Sequence, residues 1–249
     1  MYYSGNAWIG VLSGCLGASI LALVFAVLVV SLKGDVVVLG VATNLLASGM
    51  TTFLLRVIFH VEGAFQDPRL VGLDNLNIPV LQNIPILGPL LSGQTALVYI
   101  SWLLVILVSV MLFRTSLGLR MRGIGEQPLT AETLGVRVNA LRYMAVILSG
   151  VFCGLAGAQL SVGIVNLFVQ DMAAGRGWVA VVAVMLSQSN PLGVFLASTF
   201  FGLVDSLGFR LQGLGMAYQF TGMLPYVVTL LAFIMIRNRQ KRQRSALSS

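Results

Sequence analysis

Between Trp8 and Leu32 the chain carries no Lys, Arg, Asp or Glu, and the same is true between Pro79 and Phe113. An α-helix needs about 20 mostly apolar residues to cross the hydrocarbon layer of a bilayer, and several charge-free blocks reach that length. A soluble core helix shows a polar stripe at every third or fourth position, and a membrane barrel strand alternates in polarity. These blocks do neither. Composition agrees: 57% of the residues are hydrophobic and 9% charged, against roughly 25% charged in an ordinary soluble domain. The chain is therefore expected to be all-α, a polytopic transmembrane helix bundle forming one transmembrane domain over residues 1–249.

The blocks predict seven candidate spans, at about 8–31, 36–59, 93–113, 142–165, 176–190, 192–210 and 219–236. The fifth is too short to cross comfortably and reads as a broken or re-entrant helix, which is tolerated only where protein or a cavity covers its backbone.

A net charge of +7 suggests nucleic acid until the charges are located. Arg114, Arg120, Arg122, Arg137 and Arg142 form one basic group. Arg237, Arg239, Lys241, Arg242 and Arg244 form another in the tail 237–249. The connection 60–92 carries Glu62, Asp67 and Asp74 against Arg69. Positive charge collects on the cytoplasmic side of membrane proteins. This assigns 114–141 and the tail to the cytoplasm and 60–92 to the outside, with the lipid bilayer as partner and no nucleic acid. Counting spans back from 114 puts the N-terminus outside, although residues 1–7 resemble no signal peptide. Further spans upstream are therefore expected.

Enzymatic chemistry has no footing in the residues. Lys33 and Lys241 are the two lysines, and neither lies in a G-x-x-x-x-G-K-[ST] phosphate loop. His60, at a span edge, cannot complete a nucleophilic triad. With Cys15 and Cys153, both inside spans, it cannot build a zinc site either. Both cysteines read as small packing residues with free thiols. Gly10, Gly14 and Ala18 share one helix face, as do Gly150, Gly154 and Ala158. Such faces let helix backbones approach closely in lipid.

Three features carry functional hypotheses beside plainer readings. In RTSLGLRMRGIGEQPLTAETLGVRVNALR (114–142), Pro128 can start a short amphipathic helix, Glu132 lies early in it, and Gly135 can end it. The alternative is a solvated loop with snorkelling arginines. In AAGRGWVAVVAVMLSQSNPLG (173–193), Gly175 and Gly177 permit an irregular backbone at the start of a short helix that Asn190–Pro191 ends. Arg176 at that helix start is either a ligand contact or an interfacial anchor. Asp205 is the one acid well inside a span, and so either functional or a helix-packing hydrogen-bonder. Arg210, about 140° around the helix, is a poor partner for it.

Several of these segments resemble a known family. GEQPLTAETLGVRVNALRYMAVILSGVFCGLAGAQLS looks like the cytoplasmic loop and following span of permease subunits in ABC importers of the ribose/branched-chain-amino-acid type. GRGWVAVVAVMLSQSNPLG, FGLVDSLGFRLQ and MLPYVVTLL are similar to later blocks of that family. VVVLGVATNLLASGMTTFLLR, IPILGP and FRTSLGLRMRGIG resemble its simple-sugar branch, which includes nucleoside permeases. Two departures stand out. Ser187-Gln188-Ser189 occupies a place where relatives often have Gly-Arg/Lys before Asn-Pro, and an E-x-x-G-V-x-N…E-G block of the family's first half is not found.

The resemblance implies a non-enzymatic permease in a bacterial inner membrane. It would pair with a second permease subunit, cytoplasmic ATPase subunits that bind ATP in its place, and an extracytoplasmic substrate-binding protein. Gly125, Glu126, Ala131, Glu132 and Gly135 are then expected to couple to the ATPase, with small Ala131 allowing close approach. Phe168, Gly175, Arg176, Gly177, Trp178 and Asp205 are expected along the path of a neutral nucleoside or sugar. Phe168, Trp178 and Phe200 would offer stacking surfaces. An ion-coupled transporter or channel using Asp205 is the alternative from another class.

Overall fold

A computed structural model of the chain describes residues 5–67, 72–73, 75–76, 92–164 and 166–213. In chain order α1 spans Ala7–Ala26 and continues through a π-helical turn, Val27–Ser31. Next come α2 (Val36–Phe59), α3 (Ala96–Arg114), α4 (Ser116–Glu126) and α5 (Pro128–Thr133). Then α6 (Val138–Ala158) runs into a second π-helical turn, Gln159–Ile164, followed by α7 (Arg176–Leu186) and α8 (Pro191–Gly213). Strand content is slight: β1 (Ala64–Phe65) pairs antiparallel with β4 (Phe168–Val169), and β2 (Asn75–Leu76) with β3 (Gln94–Thr95). The chain divides into two compact units, one of residues 1–104 and 110–174, the other of 105–109 and 175–249.

Among the described residues five helices are long and apolar enough to span a membrane: Ala7–Ser31, Val36–Phe59, Ala96–Arg114, Val138–Ile164 and Pro191–Gly213. They match the first, second, third, fourth and sixth expected spans. The fourth begins within the expected cytoplasmic segment, at Val138 rather than 142, and the sixth runs on to Gly213. The fifth is indeed short, 11 residues ending at Leu186. That is about 16 Å of helix against about 30 Å of hydrocarbon. The seventh expected span, 219–236, and the basic tail lie outside the described residues.

In the first unit α1 packs along α6, and their small-residue faces meet. A Cβ on Gly154 would sit 2.5 Å from Cys15 Cα and 3.0 Å from the Gly14 carbonyl oxygen. One on Gly150 would collide with Ala22 Cβ. Around this contact Val11, Leu97 and Ala158 are buried, with Cys15 and Leu155 packed against them. The outward sides of the spans carry exposed Leu, Val, Ile and Phe, such as Leu12, Leu16 and Ile20 on α1, as lipid-facing surfaces must.

Local chemistry sets the helix ends. The Asp35 carboxylate accepts hydrogen bonds from Val37 N and Val38 N, each 2.9 Å. These satisfy free donors at the start of α2 and complement its dipole. The helix stops at left-handed His60 (φ 54°), whose N–H donates to the Arg56 carbonyl. Arg56 then reaches back to Glu62 at 2.9 Å.

Candidate functional site

The segment expected to couple, 114–141, belongs to the first unit. Its corner after α3 is tight because Gly118 packs directly against Met111 and Leu112, where any Cβ would collide with backbone. Thr115 caps α4, its Oγ1 accepting from Gly118 N at 3.3 Å. Arg122 lies over the Phe113 ring at 5.0 Å, a cation–π contact between α4 and the end of the span before it. Pro128 stands at the first position of α5, where its missing N–H costs nothing. Gly135 (φ 78°) ends the turn, donating to the Glu132 carbonyl at 3.0 Å.

Two details add to the sequence reading. Gly125 and Glu126 lie before the Pro128 helix. They close the separate helix α4, and Gln127 (φ −143°, ψ 87°) breaks the chain between the two. Ala131 does not face outward: it is buried in a cluster with Ile124 and Val138, backed by Val136 and Leu141. A methyl group is what the close contact of α4, α5 and α6 admits at that point. The exposed surface of α5 is carried instead by Leu129, Glu132 and Thr133, with Leu134 just beyond it. Beside this cluster Met121, Ile124, Gly125, Pro128, Leu141, Arg142 and Ala145 line a cavity of about 360 Å³.

The second group lies on α7 and α8 in the second unit. Gly175 takes a left-handed conformation (φ 76°) at the start of α7, and Trp178 N donates to its carbonyl oxygen at 2.9 Å. Arg176 follows as the first helical residue. Its Nη2 lies 3.7 Å from Asp205 Oδ2 on α8, each side chain a little under half exposed. Two residues singled out separately in the sequence therefore meet. Helical rotation excluded Arg210 as a partner for Asp205 but did not single out Arg176, whose pairing depends on how α7 lies against α8.

Around this pair α7 packs on α8 through Ala183, Ala197 and Phe201. The turn between them places Gln188 (φ 51°) and Ser189 (φ 62°) in the left-handed region, and Asn190 Oδ1 caps α8 by accepting from Leu192 N at 3.1 Å. Gly177 has open space where a Cβ would sit, and Trp178 is exposed. Phe168 lies on β4 in the first unit. Phe200 is exposed on α8 with its ring 6.0 Å from that of Phe201.

Residues 1–236 match the family described as the permease component of the branched-chain amino acid transport system. The chain is 36% identical to the nucleoside ABC transporter permease protein NupC of Lactococcus lactis, over 93% of this chain and 74% of that one. It is 37% identical to the putative glucose ABC transporter permease protein TsgC13 of Haloferax volcanii, over 86% and 64%. It is 31% identical to the guanosine ABC transporter permease protein NupQ of Bacillus subtilis, over 90% and 72%. The chain thus spans from 64% to 74% of the length of these relatives. No solved structure matches it significantly. With five long apolar helices among the described residues, motifs in family order and a match to nearly its whole length, the chain is a multi-pass membrane protein and belongs to this family of transport-system permease components, which move solutes rather than catalyse reactions.

Proposed function

We propose that this chain forms half of the translocation path of an ATP-driven importer that carries nucleosides or related simple sugars into the cell. The observation that carries the reading is its likeness to relatives named for nucleoside, guanosine and glucose transport. The chemistry of the spans agrees. The Arg176–Asp205 pair balances its own charge, so the group on α7 and α8 offers hydrogen bonds without a net charge to attract an ion. That suits a neutral, hydroxyl-rich cargo.

In this reading the chain sits in the bacterial cytoplasmic membrane with its basic segments inside. It pairs with a second permease, receives cargo from an extracytoplasmic binding protein, and leaves ATP hydrolysis to separate ATPase subunits. Helices α4 and α5 form one block with the start of α6 through Ile124, Ala131 and Val138. Force applied to exposed Glu132 and Leu129 therefore passes directly to a span. The ion-coupled alternative fits less well, because a coupling-ion site needs a carboxylate with negative charge to spare, and Arg176 balances that of Asp205. Uptake of labelled guanosine, ribose and leucine by cells with and without the gene tests the proposal. Gene-dependent uptake of guanosine or ribose is expected, and gene-dependent uptake of leucine alone contradicts it.

A further inference from the structure

We propose that one face of α8, together with Arg176, grips the adjacent hydroxyl groups of the cargo's sugar ring, an inference that rests on the nucleoside-or-sugar reading. At 3.6 residues per turn, Ser198, Gly202, Asp205, Phe209 and Gln212 fall within an arc of about 80° on α8. The neighbouring arc is the packed one, where Ala197, Phe201, Val204 and Gly208 are buried. The first arc is open: Ser198, Gly202 and Phe209 are exposed, and Asp205 and Gln212 are partly so. Nothing lies within 4 Å of the position a Cβ on Gly202 would take.

A hydroxyl, a carboxylate and an amide in one row cannot face hydrocarbon without heavy loss, so this stripe faces water or polar matter. Its composition selects which. A carboxylate accepts bonds from two neighbouring hydroxyls at once, and the Arg176 guanidinium donates to the same oxygens. At 3.7 Å the pair is longer than the roughly 2.8 Å of a tight charge-assisted bond, so it leaves acceptor capacity on Asp205. The Phe209 ring, one turn from Asp205, offers a flat surface to the C–H face of a sugar. Gly202, one turn to the other side, leaves room for that ring to lie against the helix. A charge-balanced pair, a hydroxyl, an amide and a ring beside a gap suit a neutral polyol, and a lone ion finds no complement in them.

The test is a ratio of ratios. The whole importer is reconstituted with its binding protein, and uptake of guanosine and of 2′-deoxyguanosine is measured for wild type and variants. One binding protein serves both cargoes, so its own preference cancels. Asp205→Asn is expected to slow guanosine about tenfold while changing 2′-deoxyguanosine by less than about twofold. Ser198→Ala, two turns and about 10 Å along α8 from Asp205, is expected to leave the ratio unchanged. Gly202→Leu fills the gap without touching charge, and both cargoes fall by about tenfold or more.

If wild type moves pentoses instead, ribose and 2-deoxyribose take the place of the two nucleosides. Equal slowing of both cargoes by Asp205→Asn, with wild-type uptake intact, overturns the inference and makes the pair a packing device. Wild-type rates in Gly202→Leu also overturn it, because the face is then covered by lipid or by the second permease. A wild-type importer that moves neither nucleosides nor sugars refutes the cargo reading itself, and this inference with it.

Discussion

The guanidinium of Arg176, in the first turn of α7, lies 3.7 Å from the carboxylate of Asp205 inside α8, tying the short helix to its longer neighbour. Removing one partner strands the other charge. Arg176→Ala or Asp205→Ala should each lower stability by up to about 1 kcal/mol, the range for pairs this exposed. The double variant should recover part of that loss. Unfolding midpoints in detergent for the two single variants and the double give the coupling directly, and additive losses rule the pairing out.

Gly154 and Gly157 stand one turn apart on α6 yet face different surroundings. A Cβ on Gly154 meets Cys15 at 2.5 Å, and one on Gly157 meets nothing within 4 Å. Gly154→Ala should therefore push α1 off α6 and destabilise by about 1–3 kcal/mol, the usual range for overpacking. Gly157→Ala should be neutral, or stabilising by up to about 1 kcal/mol through helix propensity. Thermal midpoints of the two purified variants separate these outcomes.

Ala131 and Glu132 are neighbours with opposite fates, one buried against Ile124 and Val138 and the other exposed. Ala131→Trp should disrupt the α4–α5–α6 block itself, with increased proteolysis of 114–141 even when no partner is present. Glu132→Arg should leave proteolysis unchanged while reducing co-purification of the ATPase subunits. If Ala131→Trp is as protease-resistant as wild type, the cluster does not hold the segment together.

Asn190 Oδ1 caps α8 at Leu192 N immediately after two residues in left-handed conformation. Asn190→Ala should cost about 1 kcal/mol, as loss of an N-cap does. Ser189→Gly should return up to about 1 kcal/mol by relieving backbone strain. Thermal midpoints of each variant, and of the two combined, show whether the turn between α7 and α8 behaves this way.

Span positions were legible because hydrocarbon imposes one rule on every residue it surrounds, between Trp8 and Leu32 as between Ala96 and Phe113. The small-residue faces at Gly14 and Gly154 were legible because such residues at helical spacing have few other uses in lipid, but that the two faces meet was not. Pro128 and Gly135 marked the ends of α5 through backbone chemistry that needs no tertiary context. What escaped depended on contacts between segments. Ala131 reads equally well as a docking surface or as a core methyl until Ile124 and Val138 are placed beside it. Arg176 and Asp205 announce their pairing only once α7 is laid against α8. The separate helix α4 was hidden because its arginines and glycines resemble a solvated loop when taken one at a time.

Transport of a nucleoside or sugar under power from ATP is tested most directly by uptake into proteoliposomes holding the complete importer, with binding protein on one side and ATP on the other. Labelled guanosine or ribose should accumulate only when both are present, at a rate unchanged by ionophores that collapse proton and sodium gradients. Accumulation without ATP, driven by an imposed ion gradient and abolished by Asp205→Asn, would contradict an ATP-driven importer.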